Sequence, residues 1–299
     1  MSVSFSFGDG TSGQKPQVSL NMEQAMTLIV ERAKQLVNRV IENRGHDSPP
    51  FLPEEFVRLQ GIKKIEKADL GETSAVLLRF HDGYMIRVNQ KQSSVRQNFS
   101  CAHEIGHILF NELTLEPYIQ SIEYRTFNPK IRIYESSTWR EREARAAARE
   151  RFCDVAAAEL LMPESVFSKY LLDSGVSISS IEQLAKIFRV SIPSTAIRIA
   201  EICPEPCLAL LWQSRPKNEP KGLRLAWSIG PGRKPRGKVT YVPAHTFVNH
   251  TSNLYKAYQG DSPIKSWKKI SGDRRLTMES KGFGHGERRY VISLAFLNR

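Results

Sequence analysis

The chain has 299 residues, is 40% hydrophobic and carries a formal net charge of +12 at pH 7. This length accommodates two domains with separate cores, and the composition is that of a globular protein. No apolar run approaches the ~20 residues that a membrane span requires, and four cysteines are too few for a disulfide framework. Residues 1–20 are rich in Gly and Ser and lack the layout of a secretory signal, so we expect a disordered tail and a cytoplasmic protein without membrane contact.

The first ordered segments are predicted to be a helix and a hairpin. Asn21 is a suitable N-cap for an amphipathic helix that extends to about residue 43. A short helix is expected at 54–60. The runs 74–80 and 84–89 read as strands joined through a turn that ends in Gly83, which predicts a β-hairpin.

The sequence HEIGH at 103–107 is the most informative motif. A capping box at 94–97 and an apolar stripe predict that it lies on a helix. Histidines four residues apart are then offset by only about 40°, so His103 and His107 project from one face and can bind one metal ion. Glu104 points about 100° away, where it can act on a metal-bound water without ligating the metal.

A zinc site of this kind needs a third protein ligand. A second helix is predicted at 139–162, with a capping box at its start and Pro163 at its end. The residues alone leave several acidic candidates on it open: Glu141, Glu143, Glu150 and Glu159.

Together, the HEIGH motif and the run 150–163, ERFCDVAAAELLMP, resemble the ImmA/IrrE family of zinc metallopeptidases, over roughly residues 50–200. The resemblance implies that Glu150 is the third zinc ligand and that Asp154 stands where the family often has asparagine. It also implies that the substrate is a helix-turn-helix transcriptional repressor, whose cleavage derepresses stress, DNA-damage or defence genes. A longer insertion between the two motifs departs from the family and contains the candidate oxyanion donors Tyr118, Tyr124, Arg125 and Tyr134.

These assignments predict a mechanism. Zinc held by His103, His107 and Glu150 would lower the pKa of a bound water to about 7. Glu104 would take the proton as the water attacks the peptide carbonyl and pass it to the leaving amine. Asp154 would accept a hydrogen bond from a ligand histidine. By fold analogy with zincins, the edge of the 74–89 hairpin is expected to pair with an extended substrate.

Cys101 and Cys153 lie near the metal motifs. A role as zinc ligands in a latent state and a role as small buried thiols are both open.

Residues 179–202 contain two apolar-periodic runs with a short break at 190–192, which indicates a helix-turn-helix-like segment. Only Arg198 is positively charged after the turn, so packing on the peptidase is favoured over DNA reading. The predicted fold class is α+β: a zincin-like metallopeptidase domain (21–172), this helical segment (173–203) and a basic, β-rich GAF-like α/β sensor domain (204–299). The last assignment rests on a resemblance in layout to sensor domains of stress-responsive family members, with strands expected at 207–212, 223–229, 238–242 and 289–296.

The whole charge excess lies in the last third, where 18 Lys and Arg face 6 Asp and Glu. Because basic grooves lined with aromatic rings bind single-stranded nucleic acid, we expect single-stranded DNA to be the activator. The candidate binding residues are Arg224, Arg233, Lys234, Arg236, Lys238, Lys268, Lys269, Arg274 and Arg275. The aromatic candidates are Trp212, Trp227, Tyr241, Tyr255, Tyr258, Trp267 and Tyr290. The alternative function is a nucleic-acid-binding transcriptional regulator whose metal site is structural or inactive.

Overall fold

A computed structural model describes residues 22–115, 137–205, 207–214, 221–230, 246–271 and 274–298. Within these ranges the structure does not describe the side chains at 22, 137–145, 268–271, 274–275 and 297–298. No described helix is both long enough and apolar enough to cross a membrane.

The N-terminal half combines helices with a small mixed sheet. The helices are α1 (Met22–Arg44), α2 (Pro53–Phe56), α3 (Ser94–Glu112) and α4 (Ser137–Leu161), with a 3-10 turn at Arg58–Gln60. The strands are β1 (Ile62–Ala68), β2 (Ala75–Phe80) and β3 (Gly83–Asn89), in the order β1-β3-β2. β1 runs parallel to β3, and β2 runs antiparallel to it. The predicted helix, hairpin and motif-bearing helices are confirmed, whereas β1 was not predicted.

The N-cap of helix α3 lies one residue before the N-cap of the predicted capping box. The N-cap is Ser93, whose hydroxyl accepts the Arg96 N–H at 3.4 Å. Gln97 does not return to the cap, and instead donates to the backbone carbonyls of Asn89 and Gln92. The glutamine therefore ties the start of α3 to the end of β3.

Three further helices follow: α5 (Glu164–Ser174), α6 (Ile178–Phe188) and α7 (Ile192–Ile202). The predicted pair within 179–202 is confirmed as α6 and α7, and each is N-capped by a serine, Ser177 and Ser191. Between them Arg189 adopts φ 53°, the left-handed conformation that ends a helix.

The described residues of the C-terminal third form a six-stranded sheet in which every pairing is antiparallel. Its strands are β4 (Cys207–Ser214), β5 (Gly222–Ile229), β6 (Phe247–Asn249), β7 (Ile264–Ser271), β8 (Arg274–Phe283) and β9 (Tyr290–Asn298), in the order β6-β5-β4-β9-β8-β7. Helix α8 (Asn253–Gln259) packs on β7 and β8. The α+β class is confirmed; the strand expected at 238–242 lies outside the described residues.

One hydrophobic core continues from the N-terminal half into this sheet. It extends from α1, α3 and α4 through α5, α6 and α7 to Cys207, Ala209, Leu211, Ile292 and Leu294 on one sheet face. A second, smaller core lies on the opposite face, between the sheet and α8. Because the first core is continuous, the C-terminal sheet is packed on the helices rather than tethered to them.

Candidate metal centre

Helices α3 and α4 approach each other closely at Gly106. A Cβ atom at that position would lie 2.8 Å from both the Cα and the carbonyl oxygen of Cys153. Real Cβ atoms do not sit this close to backbone, so only glycine permits the approach. A glycine inside a helix lowers its stability by about 1 kcal/mol relative to alanine. A glycine at such a position therefore indicates that close packing requires it. The contact places the HEIGH motif of α3 against the part of α4 that contains Glu150 and Asp154.

The Nε2 atoms of both motif histidines face the carboxylate of Glu150. His103 Nε2 lies 2.9 Å from one carboxylate oxygen, and His107 Nε2 lies 3.7 Å from the other. The two imidazole centroids are 4.9 Å apart, with their planes at 79°. The histidine side chains are 16% and 22% exposed, and that of Glu150 is 54% exposed. Two nitrogens and one carboxylate therefore converge in a cleft that is open on the Glu150 side.

This donor set fits a zinc ion. At ordinary Zn–N and Zn–O bond lengths, tetrahedral ligand atoms stand about 3.3 Å apart. The two nitrogen–oxygen separations, 2.9 and 3.7 Å, lie on either side of that value. Two histidines and one carboxylate also leave a fourth position for water or substrate, which is the ligand number of a catalytic site.

The other ring nitrogens each have a partner on α4. His103 Nδ1 lies 2.9 Å from an oxygen of Asp154, and His107 Nδ1 lies 3.2 Å from the sulfur of Cys153. The sequence predicts the first contact without specifying which histidine makes it, and it does not predict the second. The Nδ1 atoms of both imidazoles thus contact consecutive residues of one helix, Cys153 and Asp154.

Glu104 is partly buried on α3, next to the small mixed sheet. Burial raises the pKa of its carboxyl group, and the nearby charge of Glu150 raises it further. The charge of His103 and the backbone of Leu77 on β2 lower it, and the net shift is upward. A raised pKa brings a carboxylate closer to the value at which it both accepts and returns a proton near neutral pH.

The pKa values of the two histidines are shifted in opposite directions. Burial lowers the pKa of His103, but the hydrogen bond and charge of Asp154, with the charges of Glu150 and Glu104, outweigh it and raise the pKa. For His107 burial and the nearby His103 outweigh the carboxylates and lower the pKa. The difference follows from their Nδ1 partners, since His103 faces an anion and His107 faces a buried sulfur.

Comparison with known proteins agrees with this geometry. Residues 60–200 match the family described as the IrrE N-terminal-like domain, a peptidase family. Over these 141 residues, just under half of the chain, the protein is similar to an IrrE N-terminal-like peptidase domain. A 126-residue stretch is 31% identical to the radiation response metalloprotease IrrE of Deinococcus radiodurans, covering 42% of this chain and 33% of that protein. The chain therefore spans about a third of the length of this relative.

A solved structure described as a Mycobacterium tuberculosis transcriptional regulator resembles the fold over 92% of this chain and 80% of its own chain. Its TM-score is 0.58 at 13% sequence identity. The overall arrangement, including the C-terminal sheet, is thus a known fold.

Glu159, another acidic candidate for the third ligand, is placed differently from Glu150. Glu159 is buried and forms an ion pair with Arg198 of α7, on the side of α4 that faces the core. The side chains of Glu141 and Glu143 lie outside the described residues, as do Tyr118, Tyr124, Arg125 and Tyr134.

Arg198 belongs to the core of the protein. It is 8% exposed, and its Nε also donates to the Met162 carbonyl at 3.0 Å. A guanidinium held in this way cannot reach a DNA groove, so the structure favours packing of α6 and α7 on the metallopeptidase domain.

The basic candidates are described only in part. Arg224 is exposed on β5. Arg233, Lys234, Arg236 and Lys238 lie outside the described residues. Lys268, Lys269, Arg274 and Arg275 belong to β7 and β8, but their side chains are not described.

Most of the aromatic candidates pack in the cores. Trp212 is 3% exposed, and Tyr255 and Tyr258 are partly buried in the core under α8. Trp227 and Tyr290 pack against the main core. Trp267 on β7 is 65% exposed, and Tyr241 lies outside the described residues. The prediction that Trp212 presents a stacking face is wrong, because both faces of β4 are covered and this ring packs in the smaller core between the sheet and α8.

Proposed function

We propose that this protein is a zinc-dependent endopeptidase that cleaves a helix-turn-helix transcriptional repressor. The observation that carries the proposal is the convergence of His103 Nε2, His107 Nε2 and the Glu150 carboxylate beside Glu104. The match of residues 60–200 to a peptidase family supports it.

In this proposal His103, His107 and Glu150 hold the ion, and Asp154 orients His103. Zinc, when bound, supplies Lewis acidity that activates water and polarises a peptide carbonyl. Asp154 accepts the Nδ1–H of His103, which fixes the tautomer whose Nε2 lone pair faces Glu150. A purely structural site would be closed by four protein ligands and would need no neighbouring base.

Glu104 acts as general base and then as general acid. Its carboxylate takes a proton from the attacking water and delivers it to the amine of the cleaved bond, so no net proton remains on the enzyme. Burial raises the pKa of this carboxyl group, which favours uptake of the proton from water.

Strand β2 offers an edge for the substrate backbone. Among the described residues it is an outer strand of its sheet. The Asn89 N–H donates to the Ser74 carbonyl at 2.9 Å, so residue 74 faces β3. Alternation in an antiparallel pair then turns the backbone groups of Ala75, Leu77 and Arg79 outward. An extended peptide paired there would pass beside Glu104.

The identity of the substrate rests on the resemblance to the ImmA/IrrE family. The relative of 31% identity is named a radiation response metalloprotease, which supports a role in a stress or DNA-damage response. We extend the proposal to anti-phage defence genes on the same resemblance.

We also propose that the C-terminal sheet is a GAF-like sensor domain that activates the peptidase on binding single-stranded DNA. The charge excess of residues 204–299 and the exposed Trp267 support a polyanion ligand. Contacts between the sheet and α6 supply a route for coupling. Glu279 accepts the Ile178 N–H at 2.9 Å, and Lys281 pairs with Glu182 at 2.7 Å.

The test combines the full chain, zinc and a co-encoded helix-turn-helix repressor, with and without a single-stranded oligonucleotide. Repressor cleavage by the wild type, stimulated by the oligonucleotide and absent in Glu104→Gln, is the expected result. Cleavage that is independent of the oligonucleotide would retain the peptidase and remove the activator. Cleavage retained in Glu104→Gln would remove the assigned mechanism.

A second candidate is a transcriptional regulator that binds nucleic acid and uses its metal only for structure. The description of the structurally similar protein as a transcriptional regulator favours it. This candidate predicts zinc-stabilised oligonucleotide binding without cleavage of the repressor under any of these conditions.

A further inference from the structure

Cys153 lies directly behind one of the two motif histidines. Its sulfur is 3.2 Å from His107 Nδ1, and the residue is fully buried. Together with His103 and His107 it forms a group whose potential ligand atoms all lie within 4.8 Å of one another. The contact is compatible with two roles: a zinc ligand, or a hydrogen-bond partner of the His107 ring.

The choice between these roles depends on which ring nitrogen faces the carboxylate. His107 Nε2 is 3.7 Å from Glu150, whereas Nδ1 faces Cys153. The two nitrogens of an imidazole project from different edges of the ring, so a group bound at Nδ1 is directed away from an ion bound at Nε2. His103 repeats the pattern, with Glu150 at Nε2 and Asp154 at Nδ1.

We propose that Cys153 is a positioning residue for the metal centre rather than a ligand. Its sulfur accepts the Nδ1–H of His107 and so fixes the tautomer that directs the Nε2 lone pair toward Glu150. The inference rests on the proposed zinc site and adds the partner of the second histidine. The role differs from both that the sequence leaves open for this cysteine, a zinc ligand in a latent state and a small buried thiol.

The position of the sulfur is set by the backbones of two helices. Gly106, next to His107, brings α3 so close to α4 that a Cβ there would lie 2.8 Å from the Cys153 Cα. The close approach of the two backbones therefore starts the His107 and Cys153 side chains from adjacent positions. Asp154, by contrast, reaches His103 with a side chain that is 55% exposed.

The experiment measures zinc affinity of the full chain by competition with a chromophoric chelator. Cys153→Ala is expected to bind zinc about 10-fold more weakly, at the lower end of the effects of such outer partners because sulfur is a weak acceptor. Cys153→Ser, which restores an acceptor, is expected to recover part of the loss. Cys207→Ala removes a similarly buried thiol from β4, outside the proposed zinc site, and is expected to leave affinity unchanged.

Cobalt substitution separates the two roles directly. A cobalt-loaded wild type without a thiolate-to-cobalt charge-transfer band is expected, whereas a band that disappears in Cys153→Ala would make Cys153 a ligand and overturn the proposal. Equal zinc affinity of wild type and Cys153→Ala would also overturn it. If Cys153→Ala does not fold, nitrogen NMR of the zinc-loaded wild type decides, since a proton on His107 Nδ1 is required.

Failure of the proposed function gives a different pattern. A wild type that binds zinc with the expected dependence on Cys153 but never cleaves a repressor retains this inference and loses the substrate. A wild type that binds no zinc overturns both.

Discussion

His103 Nε2 lies 2.9 Å from a carboxylate oxygen of Glu150, although the two residues are 47 positions apart in the chain. This contact makes Glu150 the carboxylate best placed to complete the metal centre among those described. We expect Glu150→Gln to leave the fold intact and to abolish stoichiometric zinc binding, because a neutral amide is a poor zinc ligand. Metal analysis of dialysed protein checks this. Glu112→Gln on α3, where Glu112 pairs with Arg32 on the surface, is the control. Full zinc content in Glu150→Gln would show that a residue other than Glu150 is the third ligand.

Glu104→Gln separates metal binding from catalysis. The amide keeps the size of the side chain but cannot accept a proton, so we expect zinc content and melting temperature to stay near wild type. Repressor cleavage should fall by a factor of roughly 10² to 10⁴ or more. Single-turnover cleavage assays with zinc-loaded protein measure the effect. A reduction in zinc content equal to the loss of activity would instead make Glu104 part of the metal site.

Asp154 is expected to act through His103. Removing the carboxylate in Asp154→Ala leaves the Nδ1–H without its 2.9 Å partner, and zinc affinity should fall by about 10 to 100-fold. Asp154→Asn keeps an acceptor oxygen and should lose less. Chelator competition ranks the variants; identical losses for alanine and asparagine would show that charge, rather than hydrogen bonding, is the property that matters.

Chelation of the zinc ion should eliminate activity and reduce stability. Holo protein binds zinc only when folded, so removal of the ion is expected to lower the melting temperature and to eliminate cleavage, with recovery on addition of zinc. Acid should have the same effect, because protons compete with the metal for His103 and His107. Thermal unfolding with and without chelator at several pH values is the measurement, and a melting temperature independent of zinc would contradict the expectation.

The ion pair between Arg198 and Glu159 is expected to control stability rather than zinc binding. Both side chains are buried, at 9% and 2% exposure. Arg198→Met leaves the Glu159 carboxylate buried without its cation, which should cost about 3 to 5 kcal/mol of unfolding free energy. The double variant with Glu159→Met should recover much of that loss. Urea unfolding measures these values, and additive losses in the double variant would show that the two residues stabilise the fold independently.

Neutralising Arg233, Lys234, Arg236 and Lys238 together should weaken oligonucleotide binding by the full chain. Each lost phosphate contact reduces the slope of log affinity against log salt by about 0.7 for a single strand. Lys91→Gln with Lys169→Gln, two exposed lysines of the other half, is the control. A salt dependence that is unchanged in the fourfold variant would place the binding surface elsewhere, and no binding by wild type at low salt would remove the activator.

The sequence predicts the helices and the hairpin of the first half because their signals are local. Caps, apolar periodicity and the proline at 163 place α1, α3 and α4 to within a few residues. It misses β1, four of whose seven residues are charged, and it misses β7 and β8, whose basic runs do not alternate clearly. β1 forms through parallel pairing with β3, although β2 lies between them in the chain, and β7 and β8 form through pairing within the antiparallel sheet. Packing partners decide strand formation there, and a local pattern does not contain them.

By itself the sequence determines the chemistry available to this protein: two histidines on one helical face, an adjacent glutamate, and a second helix that carries acidic residues. It does not determine which acidic residue meets the histidines, because that depends on how two helices cross. The tertiary structure decides this through the backbone contact at Gly106, which turns Glu150, Cys153 and Asp154 toward the motif and Glu159 toward Arg198. A helix fixes which residues share a face, but only packing fixes what that face touches.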